Sequence, residues 1–206
     1  MIMKKQDNGS YQLNDILHIR PTIAYAYEYF KNRSDLICAE IGCQRGDNAN
    51  IIIRVLNPTK MFLIDPWDLI DQGLYLNQKE NYEFVLSQFN GNSQVYIKKG
   101  LSWNIFPEFP DNYFDCIYID GDHDIEPCKK DILEAIRTTK IGGIVGGHDY
   151  LSNGFSGFKI YEGTEGQVAA AVHQIFNNKF INAEPGDWWV IITEDIKRII
   201  HELRQT

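Results

Sequence analysis

Seven short apolar runs, separated by longer amphipathic stretches, limit this 206-residue chain to very few architectures. They are Leu36–Ile41, Met61–Asp65, Gln94–Lys98, Phe114–Asp120, Gly143–His148, Phe180–Ala183 and Trp189–Thr193. The central ones, LICAEI, MFLID, FDCIYID and GGIVGGH, are almost continuously apolar rather than alternating. That pattern suits parallel strands covered on both faces, because a strand with one wet face alternates. The intervening stretches Pro21–Lys31, Ala49–Leu56, Asn77–Phe89, Ile125–Thr138 and Thr164–Asn177 have helical character. In Ile125–Thr138, for example, Cys128, Ile132, Leu133 and Ile136 share one face. Strand alternating with helix predicts a doubly wound, Rossmann-like α/β sheet. No linker-like stretch divides the chain, so residues 1–206 are expected to form one domain. An N-terminal helical segment covers 1–35, and a terminal helix covers 194–206. The terminal helix carries Ile196, Ile199, Ile200 and Leu203 on one stripe, which would cover the sheet or a second subunit of a homodimer.

The chain carries 28 acidic against 20 basic side chains, a net charge of −8. Binding to nucleic acid or to an anionic membrane surface needs clustered positive charge, so neither partner is expected. No apolar run reaches the roughly 18 residues of a membrane span, and the start MIMKKQDNGSYQL has no leader-like apolar region. The four cysteines show no metal-binding spacing, so a reduced, cytoplasmic protein is expected.

In a doubly wound sheet ligands bind beyond the carboxyl ends of the strands, so the residues there carry the chemistry. The first strand runs into Glu40-Ile41-Gly42-Cys43-Gln44-Arg45-Gly46-Asp47 and then a helix. Its glycines allow a ligand close to the backbone, but neither a dinucleotide fingerprint nor a P-loop is present. Glu40 and Asp47 favour a cationic ligand over a phosphate there. Asp65 ends the second strand 19 residues past Gly46, near the interval at which an acid holds a ribose diol. The fourth strand ends Asp120-Gly121-Asp122-His123-Asp124, the fifth His148-Asp149-Tyr150. Brought together on one rim, these carboxylates repel one another unless a cation neutralises them. Oxygen ligands point to Mg²⁺, and an imidazole widens the choice toward Mn²⁺, Fe²⁺ or Zn²⁺. Taken singly, Asp122 or Asp124 could equally cap the following helix.

Together, EIGCQRG, LIDPW, YIDGDH and GGHDY resemble the class I S-adenosylmethionine-dependent methyltransferases, most closely the metal-dependent O-methyltransferase branch acting on sugars and macrolide sugars. The resemblance implies a seven-stranded sheet of order 3-2-1-4-5-7-6 with the last strand antiparallel. It implies S-adenosylmethionine at Glu40, Gly42, Gly46 and Asp65, with adenine contacts at Gly100, Leu101 and Ser102 and a further contribution from Asp120. It also implies a divalent metal, Mg²⁺ first, at Asp120, His148 and Asp149, and Asp122 or His123 as general base. The chain departs from the family's ExGxGxG pattern, with Gln44 in place of the middle glycine, and His148 stands where several relatives have an acid. The activity implied is O-methylation of a small hydroxylated acceptor: a sugar, phenol or polyketide. Trp67, Tyr75, Tyr150, Phe155, Phe158 and Tyr161 could offer aromatic faces to it, with Gly154, Gly157 and Gly163 permitting lid motion, or could form a satellite core under the loops. Three rival readings stay open: an NAD(H) oxidoreductase, a non-catalytic S-adenosylmethionine-binding protein, and a hydroxylase-like Fe²⁺ enzyme on the same fold.

Overall fold

The computed structural model describes residues 3–5, 11–13, 19–67, 77–150, 166–183 and 186–203. After a two-stranded antiparallel ladder, β1 (Met3–Lys5) and β2 (Tyr11–Leu13), strands and helices alternate. They are α1 (Pro21–Phe30), β3 (Ile37–Ile41), α2 (Asp47–Leu56), β4 (Lys60–Asp65), α3 (Gln78–Gln88), β5 (Val95–Lys99), α4 (Ser102–Ile105), β6 (Phe114–Ile119), α5 (Ile125–Thr138), β7 (Thr139–Gly147), α6 (Gln167–Phe176), β8 (Ile181–Ala183), β9 (Asp187–Ile191) and α7 (Glu194–Leu203). Among the described residues of the N-terminal segment 1–35, α1 is the helix and the ladder stands ahead of it.

The main sheet has the order β5-β4-β3-β6-β7-β9-β8. Counting its strands along the chain, this is 3-2-1-4-5-7-6, as the family resemblance implied. The first five strands are parallel, and β9 runs antiparallel to both β7 and β8. Because side chains alternate across a strand, each continuously apolar run feeds two cores. Ala39, Ile41, Phe62, Ile64, Ile117, Ile119 and Val145 face α5, α6 and α7. Cys38, Met61, Leu63, Cys116, Tyr118 and Ile144 face α1, α2 and α3. Ile196 and Ile200 of α7 are buried in the first of these cores, so the stripe of the terminal helix covers the sheet itself.

Strand β9 starts two residues earlier than its apolar run suggests. Asp187 is drawn in because its buried carboxylate accepts the Thr22 backbone N–H at 3.0 Å and the Tyr118 hydroxyl at 3.1 Å. Strand β7 likewise begins at Thr139 rather than Gly143, passing through Gly142 at φ +78°. The end of α5 is held by Lys197, whose Nζ donates to the carbonyls of Ile136 and Arg137 at 2.6 and 2.8 Å and to that of Thr139. Among the described residues, no helix is long and apolar enough to cross a membrane.

Candidate active site

The carboxyl ends of β3, β4, β6 and β7 meet on one edge. Gly42 leaves β3 at φ +82° with its N–H on the Ile64 carbonyl, and the Asp120 N–H bonds the Ile41 carbonyl. The two backbones are so close that a Cβ on Gly42 would lie 2.0 Å from the Asp120 carbonyl oxygen. Glycine here is therefore a packing requirement between two site segments. Gly46 also has a positive φ, and its approach is to the Phe89 ring.

Gln44, at the place of the family's middle glycine, takes a left-handed φ of +47°. Such backbone costs a non-glycine residue about 1–2 kcal/mol, and the surroundings hold it there. Asp65 Oδ2 accepts the Gln44 N–H at 2.9 Å, while Oδ1 accepts the Trp67 N–H at 2.6 Å. The Trp67 indole N–H in turn donates to the Gln44 carbonyl at 2.8 Å. Burial raises the pKa of Asp65, and the backbone N–H donors partly offset that. Each Asp65 oxygen keeps a further lone pair, which fits a ribose diol.

Glu40 is buried beside this turn. Asn48 Nδ2 donates to its Oε1 at 2.7 Å, but Glu40 Oε2 and Asn48 Oδ1 are buried with no hydrogen-bond partner. A buried polar atom left unpaired costs about 1–3 kcal/mol. Burial pushes the Glu40 carboxyl up to about 8, with Asn48 opposing and Asp120 adding to the rise. An amine-bearing cationic ligand would relieve both, so the residues present fit S-adenosylmethionine.

On the adjoining strand ends, Asp149 stands between two imidazoles. His123 Nε2 lies 3.0 Å from its Oδ2 and His148 Nδ1 3.1 Å from its Oδ1, with His148 Nδ1 3.9 Å from Asp120 Oδ1. Burial acts against charge on Asp149, but hydrogen bonding to His123 and His148 outweighs it and holds the carboxyl well below the usual range. The bond to Asp149 raises the His123 pKa against burial. For Asp120, burial raises the pKa and His148 partly offsets it. Ligand atoms of Asp120, His123 and Asp149 all lie within 4.8 Å of one another. Two carboxylates and an imidazole are a donor set that a divalent cation fits.

The structure brings together residues that were expected in different roles. His123, expected as a base, joins the cluster of three, and His148, expected as a ligand, flanks it. Asp122 is exposed and accepts the Asp124 N–H at 2.9 Å, a turn contact just ahead of α5, whose N-cap is Asp124. Gly100 donates its N–H to the Asp65 carbonyl at 3.0 Å, and Leu101 precedes α4. The Ser102 hydroxyl donates to buried Asp131. Trp67 and Tyr150 are buried, Tyr150 with its hydroxyl 2.7 Å from His173 Nε2, and so pack rather than present faces to an acceptor. Tyr75, Phe155, Phe158, Tyr161, Gly154, Gly157 and Gly163 lie outside the described residues.

Two residues of this edge escaped sequence reasoning. Asp131 interrupts the apolar stripe of α5 between Cys128 and Ile132, and that interruption was its signal. Asn48, in the first turn of α2, had no signal beyond its place after the glycine turn.

Solved structures share this fold. A candidate caffeoyl-CoA O-methyltransferase from Staphylococcus aureus aligns with a TM-score of 0.63 at 17% identity, covering 87% of this chain and 86% of that one. A candidate O-methyltransferase from Klebsiella pneumoniae gives 0.59 at 11% identity, with coverage of 87% and 83%. TomG of Streptomyces achromogenes, an O-methyltransferase of tomaymycin synthesis solved with S-adenosylmethionine, gives 0.58 at 14% identity, with coverage of 88% and 84%. Two other matched structures are longer, and the chain spans 51% and 49% of them. No protein of curated function matches the sequence significantly. Residues 39–150, from the middle of β3 to the Gly-His-Asp-Tyr segment, match the family described as methyltransferase domain. That match covers more than half of the chain and contains the whole strand-end edge, and by it the chain belongs to the methyltransferase domain family, among the class I S-adenosylmethionine-dependent methyltransferases.

Proposed function

We propose that the protein transfers a methyl group from S-adenosylmethionine to a hydroxyl of a small acceptor, a sugar, phenol or polyketide, with the help of a divalent cation. The observation that carries the metal-assisted reading is the Asp120–His123–Asp149 cluster, two carboxylates and an imidazole at adjoining strand ends. O-methylation is also the chemistry named for the Staphylococcus aureus and Streptomyces achromogenes proteins of this fold. Four free, buried cysteines support a cytoplasmic setting.

S-adenosylmethionine supplies, when bound, a methyl group activated on a sulfonium sulfur. Asp65, fixed by the Gln44 and Trp67 N–H groups, offers its remaining lone pairs to the ribose hydroxyls. Gly42 and Gly46 give the turn between β3 and α2 its positive-φ backbone, and Glu40 would offer Oε2 to a cationic group of the cofactor. Asp120, His123 and Asp149 would hold a divalent cation, whose contribution is to acidify and orient an acceptor hydroxyl. His148 keeps Asp149 in place through Nδ1. Asp122, with one oxygen tied to the Asp124 N–H, has its other oxygen free to accept the acceptor proton. Holding the acceptor hydroxyl in line with the methyl group would supply most of the rate gain.

The contact between His123 Nε2 and Asp149 favours a second reading without metal. There Asp149 orients the imidazole, and Nδ1 of His123 takes the acceptor proton. Turnover of a panel of catechols and sugars, measured after chelation and after adding back Mg²⁺ or Mn²⁺, separates the two. Activity lost on chelation and restored by metal supports the cation. Chelation-resistant activity that disappears in His123→Gln supports the imidazole base. Transfer to no hydroxylated acceptor under either condition refutes O-methylation.

A further inference from the structure

Helix α1 is pinned at both ends, and the pins fix where its first turn stands. At its start the Thr22 N–H donates to Asp187 Oδ2 at 3.0 Å and the Thr22 hydroxyl to the Trp188 carbonyl at 3.2 Å. Trp188 pairs with Gly147, the last residue of β7 before His148. The packing there is so tight that a Cβ on Gly146 would lie 2.7 Å from Thr22 Cγ2. Beyond the other end of α1, Arg33 Nη1 donates to Asp115 at 2.8 Å, near the amino end of β6. The first turn of α1 therefore stands at the carboxyl edge of the sheet, beside the strand end that carries His148 and Asp149.

Arg20 is the residue immediately before this helix. Its carbonyl accepts the Ala24 N–H at 3.0 Å, so its backbone is held as part of the first turn. Its side chain is half-buried, and among the described residues none is an ion-pair or side-chain hydrogen-bond partner of the guanidinium. The charge of Arg20 reaches the rim, where it favours the ionised form of Asp120. Across this edge the strands follow the order β4-β3-β6-β7-β9. Asp65 and the Gly42–Gly46 turn stand on β4 and β3, the Asp120–His123–Asp149 cluster at β6 and β7, and Arg20 beyond that cluster, against β9. An acceptor hydroxyl in line with a methyl group on the β3 side carries the rest of its molecule the other way, toward β7 and β9. There it meets a guanidinium, whose planar fork matches a carboxylate or phosphate with two parallel hydrogen bonds.

Resting on the methyltransfer reading, we propose that the acceptor is a hydroxylated anion, whose carboxylate or phosphate is bound by Arg20 while its hydroxyl lies at the Asp120–His123–Asp149 cluster. Arg20 sets specificity in this arrangement and takes no part in moving the proton or the methyl group. Asp187, which also accepts the Tyr118 hydroxyl at 3.1 Å, positions it by holding the first turn of α1.

Formation of S-adenosylhomocysteine by the full chain with Mg²⁺ is measured on acceptors matched in their hydroxyls: catechol against protocatechuate, and glucose against glucuronate and glucose phosphate. Protocatechuate and glucuronate read a carboxylate, glucose phosphate a phosphate. The wild type is expected to use an anionic member with kcat/KM about ten- to hundredfold above its neutral partner, the worth of hydrogen bonds to a charged group. Arg20→Met should cut that preference about tenfold or more, through KM rather than kcat. Arg20→Lys, which keeps the charge without the fork, should retain part of it and covers the case of a methionine variant that does not fold. Arg54→Met, the same charge change in the last turn of α2, should keep the wild-type preference. Calorimetry should find the S-adenosylhomocysteine affinity of Arg20→Met within about twofold of wild type. A preference unchanged in Arg20→Met overturns the proposal. So does a loss of S-adenosylhomocysteine affinity that matches the loss of turnover, because Arg20 then serves the cofactor. If the wild type uses neutral and anionic acceptors equally, the proposal fails and O-methylation stands. If no acceptor is methylated, O-methylation fails first and takes the proposal with it.

Discussion

Replacing Gly42 with alanine tests the closest contact on this edge. Two effects act at once, and Gly91 separates them. Gly42 has φ +82° and Gly91 has φ +75°, so both alanine variants incur the same backbone strain, about 1–2 kcal/mol. Both also lose entropy in the unfolded chain, which offsets about 0.4–1 kcal/mol of that strain. An added Cβ at Gly91 meets nothing within 4 Å, but at Gly42 it meets the Asp120 carbonyl oxygen at 2.0 Å and carbon at 2.4 Å. These are backbone atoms of a strand end bonded to β3, so they have no rotamer by which to escape. To reach even 3.0 Å, the Asp120 oxygen would have to retreat by about the difference of 1 Å. Overpacking of this kind adds about 1–3 kcal/mol. Gly91→Ala should therefore stay within about 1 kcal/mol of wild type, and Gly42→Ala should lose about 2–4 kcal/mol in total. In a chain of this length that is roughly 5–15 °C of Tm, readable by calorimetry or urea unfolding. Because the displaced atoms belong to Asp120, Mn²⁺ affinity should fall with stability in Gly42→Ala and stay unchanged in Gly91→Ala. Equal stability of the two variants would falsify the tight packing of Gly42 on Asp120.

The roles of the two acid groups should separate by ligand. Asp65→Ala removes the acceptor of two backbone N–H groups and should weaken S-adenosylhomocysteine binding at least about tenfold, whereas Asp149→Ala should spare that binding and abolish metal-dependent turnover; equal loss of cofactor affinity in both variants contradicts the assignment. Burial raises the Asp131 carboxyl from 3.8 to about 7. The native state therefore holds this proton longer than the unfolded state, and its contribution to stability is lost as pH rises from about 4 through about 7. Asp131→Asn, which keeps an acceptor for Ser102, should flatten the unfolding free energy across that window, and an unchanged pH slope counts against it. Lys197→Met takes the donor from three carbonyls at the end of α5 and should cost about 2 kcal/mol in urea unfolding, with cofactor affinity unaltered; a loss under about 0.5 kcal/mol means those carbonyls find water instead.

How much was legible in sequence depended on the range of the interaction. Helix α5 was readable to its ends because Cys128, Ile132 and Ile136 repeat at the helical period, a local property. Strand β9 was misread by two residues because Asp187 is polar, and only Thr22 and Tyr118, far away in sequence, make it a strand residue. At the site, Asp120, His123, His148 and Asp149 were identifiable as strand-end groups. Which imidazole joins the carboxylates was not, since that follows from how two separate turns face each other. The same limit applies to Ser102, whose partner Asp131 lies on another element, and to the aromatic residues Trp67 and Tyr150, which packing turned inward.

The sequence by itself determined the doubly wound class, because continuous apolar runs need cover on both faces. It also determined that the acids collect on one edge, because Glu40, Asp65, Asp120 and Asp149 stand at or just past strand ends. Only the tertiary structure decided what each of these acids does. Glu40 and Asn48 were left with unpaired acceptors, Asp65 was fixed by the backbone of two loops, and Asp149 was placed between two imidazoles. Those outcomes depend on distances of about 3 Å between residues remote in the chain, and on the loss of water from around them, which raises the energy of every unpaired charge. A linear pattern encodes which face a residue occupies, but not which neighbour removes its solvent.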